Sequence, residues 1–434
     1  MRFLGVGDDN SLGDLYRQLQ AAGHDVRVHV GDAACHRTLG GLITRVDDWR
    51  EHLDWLREVG EDGIILFETA HDGPLQDVLR RDGFNVIGGS AFGDRLENDR
   101  AFGQQWMRAA GMQTAASHEF TSFAAAADFV LRRRRRYVFK LSGGNFPSSR
   151  NYVGIMDDGS DVLGLLRDYE VNWPGETPTF ILMDHVTGVE VGIGAYFNGE
   201  DFMDPVCLDW EHKRFFEGDL GELTGEMGTL VTYRGSEALF EVTLRRMAGP
   251  LRAGGYVGYI NINTIVNDDG VWPLEFTCRF GYPGFAILSA LHAEDWGMLF
   301  GRMIRRDNMA FATHPGYAIG VVLSVPPFPY GGAGGDLPSA AGLPILFRDR
   351  LTHQEQQHLH FDEVAEIDGR LRTTGPLGYV MVATGAGDTV QQARSRCYRL
   401  VERVAIPNLR YRRDIGMRFL EQDGATLRRL GWLD

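Results

Sequence analysis

The chain has 434 residues, of which 44% are hydrophobic and 24% are charged, as in an ordinary globular protein of several domains. Its net charge of −15 argues against nonspecific binding of nucleic acid, which needs a basic surface. No apolar stretch is long enough to span a bilayer, and the four cysteines lie far apart without a CxxC pair, which argues against a zinc site and against disulfides. We therefore expect a cytoplasmic protein that acts on small molecules, without nucleic-acid or membrane partners.

Residues 1–98 alternate between strand and helix patterns. RFLGVG, LGDLYRQLQAAG and DVRVHV read as a parallel βαβ unit, and GIILFE, PLQDVLRRDG and NVIGG continue it. We predict a Rossmann-like domain here. Its first turn carries Asp8, Asp9 and Asn10 at the carboxyl end of a strand, where such domains bind ligands. The turn is not GxGxxG, and its aspartates would repel a pyrophosphate, which disfavours a dinucleotide.

The rest of the chain predicts a second and a third domain, over residues 99–315 and 316–434. In the second, a strand–helix–strand region precedes TFILMDHV and VEVGIGAYF, which we predict to pair antiparallel, and a helix is predicted near 237–253. YININTIV and VWPLEFTCRF are joined by NDDG, a hairpin turn. The third is predicted to be β-rich with a helix near 388–404, and its His353, His358 and His360 are predicted on the surface. The fold class is α/β with α+β elements.

Four clusters of polar residues are candidates for a functional site. In PLEFTCRF, Glu275, Thr277 and Arg279 alternate, so all three side chains face the same side of a strand. Lys140 precedes the glycine- and serine-rich loop SGGNFPSSR, whose backbone amides could cradle phosphate. Glu190 follows a turn, and the stretch 212–214 places a histidine, a lysine and an arginine beside a glycine-rich loop. The residues alone leave open whether Glu275 belongs to an incidental ion pair or to a phosphate and metal site.

In their order along the chain, from Lys140 to Glu275, the four clusters resemble the ATP-grasp superfamily and, within it, glycinamide ribonucleotide synthetase (phosphoribosylamine–glycine ligase). DWEHKRFFEGDLGELTGEMG resembles that family's substrate loop, PLEFTCRFGYPG resembles its metal-binding strand, and ATGAGDTVQQARSRCYRLVERVAIPNLRYRRDIG resembles its C-terminus. The resemblance covers most of the chain after about residue 85. It implies an ATP-grasp fold with an N-terminal Rossmann-like domain and a C-terminal β-rich lobe, in which residues 115–190 form a small ATP lid.

The resemblance also implies roles for individual residues. Those expected to bind ATP are Arg100, Lys140, Ser142, Gly143, Gly144, Ser149, Arg150, Asp184, Val186 and Glu190. Those expected to bind Mg²⁺ (or Mn²⁺) are Glu275 and Thr277, and those expected to act in catalysis are Lys213, Arg214 and Arg279. The expected substrate contacts are Asp8, Asp9, Asn10, His212, Gly225 and Tyr282. In this family ATP phosphorylates a carboxylate, and an amine then attacks the acyl phosphate to give an amide, ADP and phosphate.

Several substrate motifs depart from the family pattern. SGGNFPSSR lacks the second lysine of the family's phosphate loop, for which Arg150, Ser148 or Ser149 are candidate replacements. The stretch from Asp8 to Gly13 replaces a motif that holds a ribose phosphate, and acids are poor partners for a phosphate. We therefore expect a carboxylate–amine ligase with a non-purine substrate pair, as a monomer or homodimer. Together with Asp14, these acids would suit a cationic or hydroxylated amine. The alternatives are a divergent phosphoribosylamine–glycine ligase and an inactive nucleotide-binding module.

Overall fold

A computed structural model describes residues 1–142, 150–330 and 340–433. The first domain is built on a parallel sheet in the order β2-β1-β3-β4. Its strands are β1 (Arg2–Gly7), β2 (Asp25–Val30), β3 (Gly63–Phe67) and β4 (Asn85–Ile87). Its helices are α1 (Gly13–Ala21), α2 (Leu53–Arg57) and α3 (Gly73–Arg81), and α4 (Ser90–Asn98) leads out of it. The predicted βαβ pattern is present, and the turn after β1 lies at the carboxyl edge of the sheet.

A small antiparallel sheet follows the helix α5 (Arg100–Ala109), in the order β5-β8-β6-β7. Its strands are β5 (Ser117–Phe120), β6 (Tyr137–Leu141), β7 (Tyr152–Val153) and β8 (Phe180–Asp184). The helices α6 (Phe123–Arg133) and α7 (Ser160–Asn172) cover one face. Phe123, Phe139 and Phe180 form their shared core, separate from the main core of the protein. This unit coincides with the region predicted as the ATP lid.

The central sheet has eight strands in the order β15-β14-β9-β10-β13-β16-β21-β18. Its first five strands in the chain are β9 (Val189–Phe197), β10 (Phe202–Glu211), β13 (Gly228–Thr232), β14 (Gly258–Asn267) and β15 (Gly270–Thr277). Between them lie a hairpin of β11 (Arg214–Phe216) and β12 (Leu220–Leu223), and the helices α8 (Glu237–Val242) and α9 (Ala248–Ala253). The helices α10 (Gly284–Ser289) and α11 (Trp296–Arg305) follow. The predicted NDDG hairpin joins β14 to β15.

The C-terminal region contributes the remaining strands of the central sheet, β16 (Tyr317–Ser324), β18 (Leu359–Phe361) and β21 (Tyr379–Gly387). Its smaller strands are β17 (Leu346–Phe347), β19 (Val364–Ile367), β20 (Arg370–Thr373) and β22 (Val404–Ala405). Its helices are α12 (His353–Gln357), α13 (Val390–Val401) and α14 (Gly424–Arg429). Because β13 pairs with β16, the sheet continues across residue 316. The domain boundary predicted there remains a prediction.

Two predictions about local structure are wrong. β8 and β9 do not pair, because β8 joins the small sheet and β9 joins the central one. The residues between them therefore form a connection between two sheets instead of a hairpin. The helix predicted near 237–253 is broken at Thr243, whose backbone leaves helical geometry (φ −124°, ψ −100°). The mixed α/β class itself is confirmed, and no helix in the described ranges is both long and apolar enough to cross a bilayer.

Candidate active site

The carboxylate of Glu275 lies among three cations that come from three different parts of the fold. Lys140 Nζ donates to Glu275 Oε2 at 2.8 Å, Arg100 donates to the same oxygen, and Lys213 Nζ lies 3.8 Å from Oε1. Burial favours the neutral acid, but the three cations outweigh it and hold the pKa of Glu275 well below its ordinary value. An ionised carboxylate is thus fixed between the small sheet and the central sheet.

The docking of α5 explains why Arg100 reaches this position. Asp99 caps the helix by accepting a hydrogen bond from Phe102 N at 3.0 Å, so Arg100 is its first residue. Gln104 Nε2 donates to the Leu274 carbonyl at 2.7 Å, which fastens the helix to β15. Arg100 Nε also donates to the Leu141 carbonyl at 3.3 Å. The helix thereby joins the two sheets at the point where their charged side chains meet.

Lys213 forms a second centre of charge next to the first. Its Nζ lies 2.9 Å from Glu190 Oε1 on β9 and 2.9 Å from Glu211 Oε2 at the end of β10. Burial disfavours the ammonium form, but the facing carboxylates outweigh burial and raise the pKa of Lys213 well above its ordinary value. Asn263 Nδ2 holds Glu190 Oε1 at 2.9 Å. Glu190, predicted to bind ATP, is therefore already hydrogen-bonded to groups that a ligand would have to share or displace.

An apolar cluster adjoins this charged cluster. Val186, in the connection between the two sheets, packs with Ala115, Met183 and Leu274, and Leu274 is the neighbour of Glu275. Asp184 ends β8, with Arg135 Nη1 at 3.4 Å from its carboxylate. An apolar floor with polar groups at its edge is the kind of surface on which a planar base stacks. Asp184 and Val186 border this apolar surface, and their predicted part in binding ATP stays a prediction.

The predicted phosphate loop is described only at its ends. Gly143, Gly144 and Ser149 lie outside the described residues. Ser142 donates its backbone N–H to the Thr179 carbonyl at 3.0 Å, while its buried hydroxyl has no partner among the described residues. The Arg150 guanidinium stacks 4.8 Å from the centre of the Trp173 ring. Arg150 thus has a packing contact, and its part in replacing the family's second lysine stays a prediction.

The three residues predicted around the substrate loop lie in different surroundings. His212 is buried, its Nε2 accepts from the Gly416 N–H at 3.3 Å, and burial lowers the pKa of the ring to about 4. Arg214 lies on the β11–β12 hairpin, where Nη1 donates to the Gly221 carbonyl at 2.5 Å. Gly225 is exposed, with open space where a side chain would be. Their described contacts are structural, and none joins the cluster around Glu275.

Arg279 contacts the end of α4 and Tyr282 contacts the C-terminal region, instead of the charged cluster. Arg279 Nε lies 3.0 Å from Glu97 Oε1 at the end of α4, and this carboxylate, together with the more distant Asp9, raises the pKa of Arg279. The ring of Tyr282 packs on Tyr379, with their centres 4.8 Å apart. β15 ends at Thr277, so the alternation that places Glu275 and Thr277 on one face does not extend to Arg279.

The turn after β1 opens onto a group of acids that the sequence analysis missed. Asp8 and Asp9 are exposed, and Asn10 is buried in the left-handed region (φ 70°) with neither amide atom hydrogen-bonded to a described residue. Glu68, at the end of β3, is also buried, and burial followed by Asp9 raises its pKa to about 8. Burial, Asp9 and Glu363 likewise raise the pKa of Asp362 well above its ordinary value. The ending of GIILFE on an acid was the available signal for Glu68.

Asp14 does not belong to this ligand-facing group. Its carboxylate accepts hydrogen bonds from Gln18 Nε2 at 2.6 Å and from Arg17 at 3.3 Å, and it contacts His360 Nδ1 at 2.6 Å. His360 is 2% exposed, so its predicted surface location is wrong. A polar stretch rich in histidine and glutamine gave no sign that β18 joins the central sheet and carries His360 inward. Asp14 is a structural partner of His360, and its predicted availability to a cationic amine is not supported.

The sequence of this chain is similar to those of known proteins. Residues 98–285 match the family model described as "Phosphoribosylglycinamide synthetase, ATP-grasp (A) domain". Over this segment, which is less than half of the chain, the protein resembles the ATP-grasp domain of that ligase family. It is 25% identical over 386 residues to the phosphoribosylamine–glycine ligase of Neisseria meningitidis, covering 85% of this chain and 88% of the relative. It is 26% identical over 376 residues to the enzyme of that name from Ralstonia nicotianae, covering 83% and 86%.

Solved structures show the same ATP-grasp fold. A phosphoribosylamine–glycine ligase from Thermotoga maritima superposes with a TM-score of 0.72 at 23% identity, over 96% of this chain and 100% of that one. The biotin carboxylase domain of a Hydrogenobacter thermophilus 2-oxoglutarate carboxylase, solved with MgADP, superposes with a TM-score of 0.64 at 12% identity, over 94% and 91%. The resemblance that the sequence motifs indicated, and the ATP-grasp fold class, are confirmed. The roles of the individual site residues remain predictions.

Proposed function

We propose that the protein joins a carboxylic acid to an amine at the expense of ATP, through an acyl phosphate. The observation that carries this proposal is the cluster in which Arg100, Lys140 and Lys213 surround the ionised Glu275 between two sheets. Three cations in a partly buried site are suited to a triphosphate, because charge neutralisation and positioning supply most of the catalysis of phosphoryl transfer. Phosphate oxygens would compete with Glu275 and Glu190 for these cations.

In the proposed reaction, a carboxylate oxygen of the substrate attacks the γ-phosphorus, and the bond to the β–γ bridging oxygen breaks to release ADP. The amine nitrogen then attacks the acyl carbon, phosphate leaves with the bonding electron pair, and the amine loses a proton. Lys140 and Arg100 would hold the transferring phosphoryl group, and Val186 with Asp184 would hold the adenine. Arg279, held by Glu97 on the side of the first domain, would face the acyl phosphate.

The residues present fit a magnesium ion held mainly by its nucleotide. Glu275 is an ionised carboxylate, and Thr277 places a hydroxyl on the same face of β15, so both offer the hard oxygen donors that Mg²⁺ prefers. Across the described parts of the chain, no group of three or more His, Cys, Asp or Glu side chains is arranged to hold a metal ion. A magnesium here would therefore take its other ligands from phosphate and water, and it would supply charge neutralisation during phosphoryl transfer.

Two substrate pairs have support of different kinds. The named relatives favour the alternative expectation, phosphoribosylamine with glycine, over the non-purine pair. The first domain instead carries the exposed Asp8 and Asp9 and the buried Glu68 at the carboxyl edge of its sheet, where we propose that the acceptor binds, and the exposed aspartates would repel a phosphate. We therefore retain both candidates: a divergent purine enzyme, and a ligase whose amine acceptor carries no phosphate.

The hydroxylamine trap tests the reaction without knowledge of the amine. Purified protein is incubated with ATP, magnesium and hydroxylamine, carboxylic acids including glycine are added one at a time, and ADP and hydroxamate are measured. Formation of a hydroxamate with one acid supports the acyl-phosphate route and identifies the donor. ATP binding without ADP release across the panel would contradict the proposed reaction and favour an inactive nucleotide-binding module. With a donor in hand, a phosphorylated acceptor that outcompetes its dephosphorylated form would favour the purine pair.

A further inference from the structure

A small cavity of about 40 Å³ lies on the central sheet beside the charged cluster. Its walls include Asp209 on β10, Thr229 on β13, Asn261 on β14 and Thr277 on β15, and Glu226 from the segment before β13. A single buried water needs roughly 10–15 Å³ of such space, so the cavity has room for a small polar group. Thr277 links it to the predicted metal-binding face, two residues from Glu275.

The fold makes space for an acid at this position. Asp209 pairs with Gly192 on the neighbouring strand β9, and a Cβ on Gly192 would collide with the Asp209 carboxylate. Asn261 Nδ2 donates to Asp209 Oδ2 at 2.6 Å, which fixes the carboxyl group in one orientation. The side chain of Asp209 is therefore placed by a glycine on one strand and an amide on another.

Three buried oxygens that line the cavity have no hydrogen-bond partner among the described residues. They are Asp209 Oδ1, Glu226 Oε1 and Thr229 Oγ1, on residues that are 7%, 6% and 1% exposed. Buried polar atoms are nearly always satisfied, so three unsatisfied ones in one small cavity indicate an absent partner. All three can accept a hydrogen bond, so a partner with several donors would satisfy them together.

The charge around the cavity indicates that this partner is a cation. No described lysine or arginine nitrogen lies within 4 Å of the Asp209 or Glu226 carboxyl group, because Lys213 is paired with Glu190 and Glu211. Burial, followed by Glu211, raises the pKa of Asp209 to about 8, and burial with Glu211 and Asp209 raises the pKa of Glu226 well above its ordinary value. Lys213 acts on both acids only from beyond 4 Å, so a cation that contacts them directly would stabilise their ionised forms.

We propose that this cavity is a subsite for a primary ammonium group of a substrate, bound by Asp209, Glu226 and Thr229. A –NH₃⁺ group has three donors and no acceptor, which matches the three unsatisfied oxygens, and the volume suits an ammonium with its first carbon. An ammonium held by two carboxylates stays protonated, so this group is recognised and does not attack the acyl phosphate. Assigning the ammonium to a substrate of this ligase rests on the proposed function.

The test uses methylammonium chloride as the probe and tetramethylammonium chloride as a control of equal charge that cannot donate hydrogen bonds. Thermal unfolding of the full-length protein is measured against increasing concentrations of each salt. We expect methylammonium to raise the midpoint above the tetramethylammonium value at equal ionic strength in the wild type. In D209N/E226Q we expect the apparent affinity for methylammonium to fall about tenfold or more, because charge-assisted hydrogen bonds are lost. Equal effects of the two salts on the wild type would overturn the proposed subsite. This is the result expected if water alone fills the cavity.

Controls separate the possible failures. Glu241→Gln removes an exposed acid on α8, outside the cavity, and should keep the wild-type preference for methylammonium. The single variants D209N and E226Q serve if the double variant does not fold, and a preference that persists in both would overturn the proposal. The salt titration needs no turnover. A wild type that forms a hydroxamate but does not distinguish the salts refutes the subsite alone, whereas one that prefers methylammonium but releases no ADP refutes the proposed reaction alone.

Discussion

Replacing Asp209 by asparagine should change how the stability of the unliganded protein depends on pH. The pKa of this carboxyl rises from an ordinary value of 3.8 to about 8 in the folded protein, chiefly because it is buried and because Glu211 is near. Between these two values the folded protein keeps a proton that the unfolded chain releases. The contribution of this carboxyl group to the free energy of unfolding is therefore largest below pH 3.8, and it disappears as the pH rises to about 8.

The magnitude follows from the proton count. One retained proton changes the free energy of unfolding by about 1.4 kcal/mol per pH unit, so the wild type should lose about 2–3 kcal/mol between pH 5.5 and pH 7.5 through this group. Asp209→Asn removes that contribution while keeping an oxygen to accept from Asn261. Groups that face Asp209 and also contribute are Glu190, Glu211 and Lys213, and they remain in both proteins.

Urea unfolding at the two pH values measures this directly. The quantity of interest is the change in unfolding free energy between pH 5.5 and pH 7.5 in D209N, subtracted from the same change in the wild type. Glu241→Gln, with an exposed acid, should give a difference near zero. If D209N and the wild type lose equal stability between pH 5.5 and pH 7.5, the pKa of Asp209 is not raised in the folded protein. Burial and Glu211 would then not perturb this carboxyl group as we expect.

Three further variants test other parts of the site. Glu275→Gln should lower the rate of hydroxamate formation by about 10²–10³-fold. Binding of ATP in EDTA, measured by calorimetry, should persist because a competitor for Lys140 is gone. Turnover within tenfold of the wild type would show that Glu275 is not a metal ligand. Lys213→Met leaves Glu190 facing other acids without its cation, so urea unfolding should show lower stability, and an unchanged midpoint would contradict the burial of this cluster. Gly192→Ala forces a Cβ into the Asp209 carboxylate, so the preference for methylammonium should disappear, and a variant that keeps it would show that the strand can yield.

Strand and helix patterns were sufficient for the parts of the fold that depend on local contacts. The first domain follows the predicted βαβ order, in which β1 pairs with β2 and β3 pairs with β4, each across one helical connection, while β3 also pairs with β1. The NDDG turn fixed the pairing of β14 with β15 for the same local reason. The separation of β8 from β9 could not be read this way, because two apolar strands joined by a short turn look like a hairpin whichever sheets they join. Pairing of β13 with β16 spans a long sequence separation and carries no local signal.

The sequence was likewise sufficient to identify only some of the site residues. Motif resemblance identified Lys140, Lys213 and Glu275, and the structure brings these three side chains together. It did not identify Asp209 or Glu226, because an acid inside an apolar strand or a glycine-rich loop resembles a solvent-facing residue until its neighbours are known. Asp209 has room because Gly192 on β9 carries no side chain, and Gly281 and Gly284 line the same cavity.

The distribution of acids along the site gives a physical reason to expect an amine-rich substrate. Glu211 lies between the charged cluster and the cavity that Asp209 and Glu226 line. Beyond Tyr282 and Tyr379 lie Asp362 and, in the first domain, Glu68. Burial, followed by repulsion from Asp9, raises the pKa of Glu68 to about 8 and the pKa of Asp362 well above its ordinary value. Proteins keep such unfavourable groups where a ligand relieves them. An anionic substrate would increase the repulsion, whereas a substrate with an ammonium group at one end and a carboxylate directed to Lys140 and Arg100 at the other would neutralise both ends of the site.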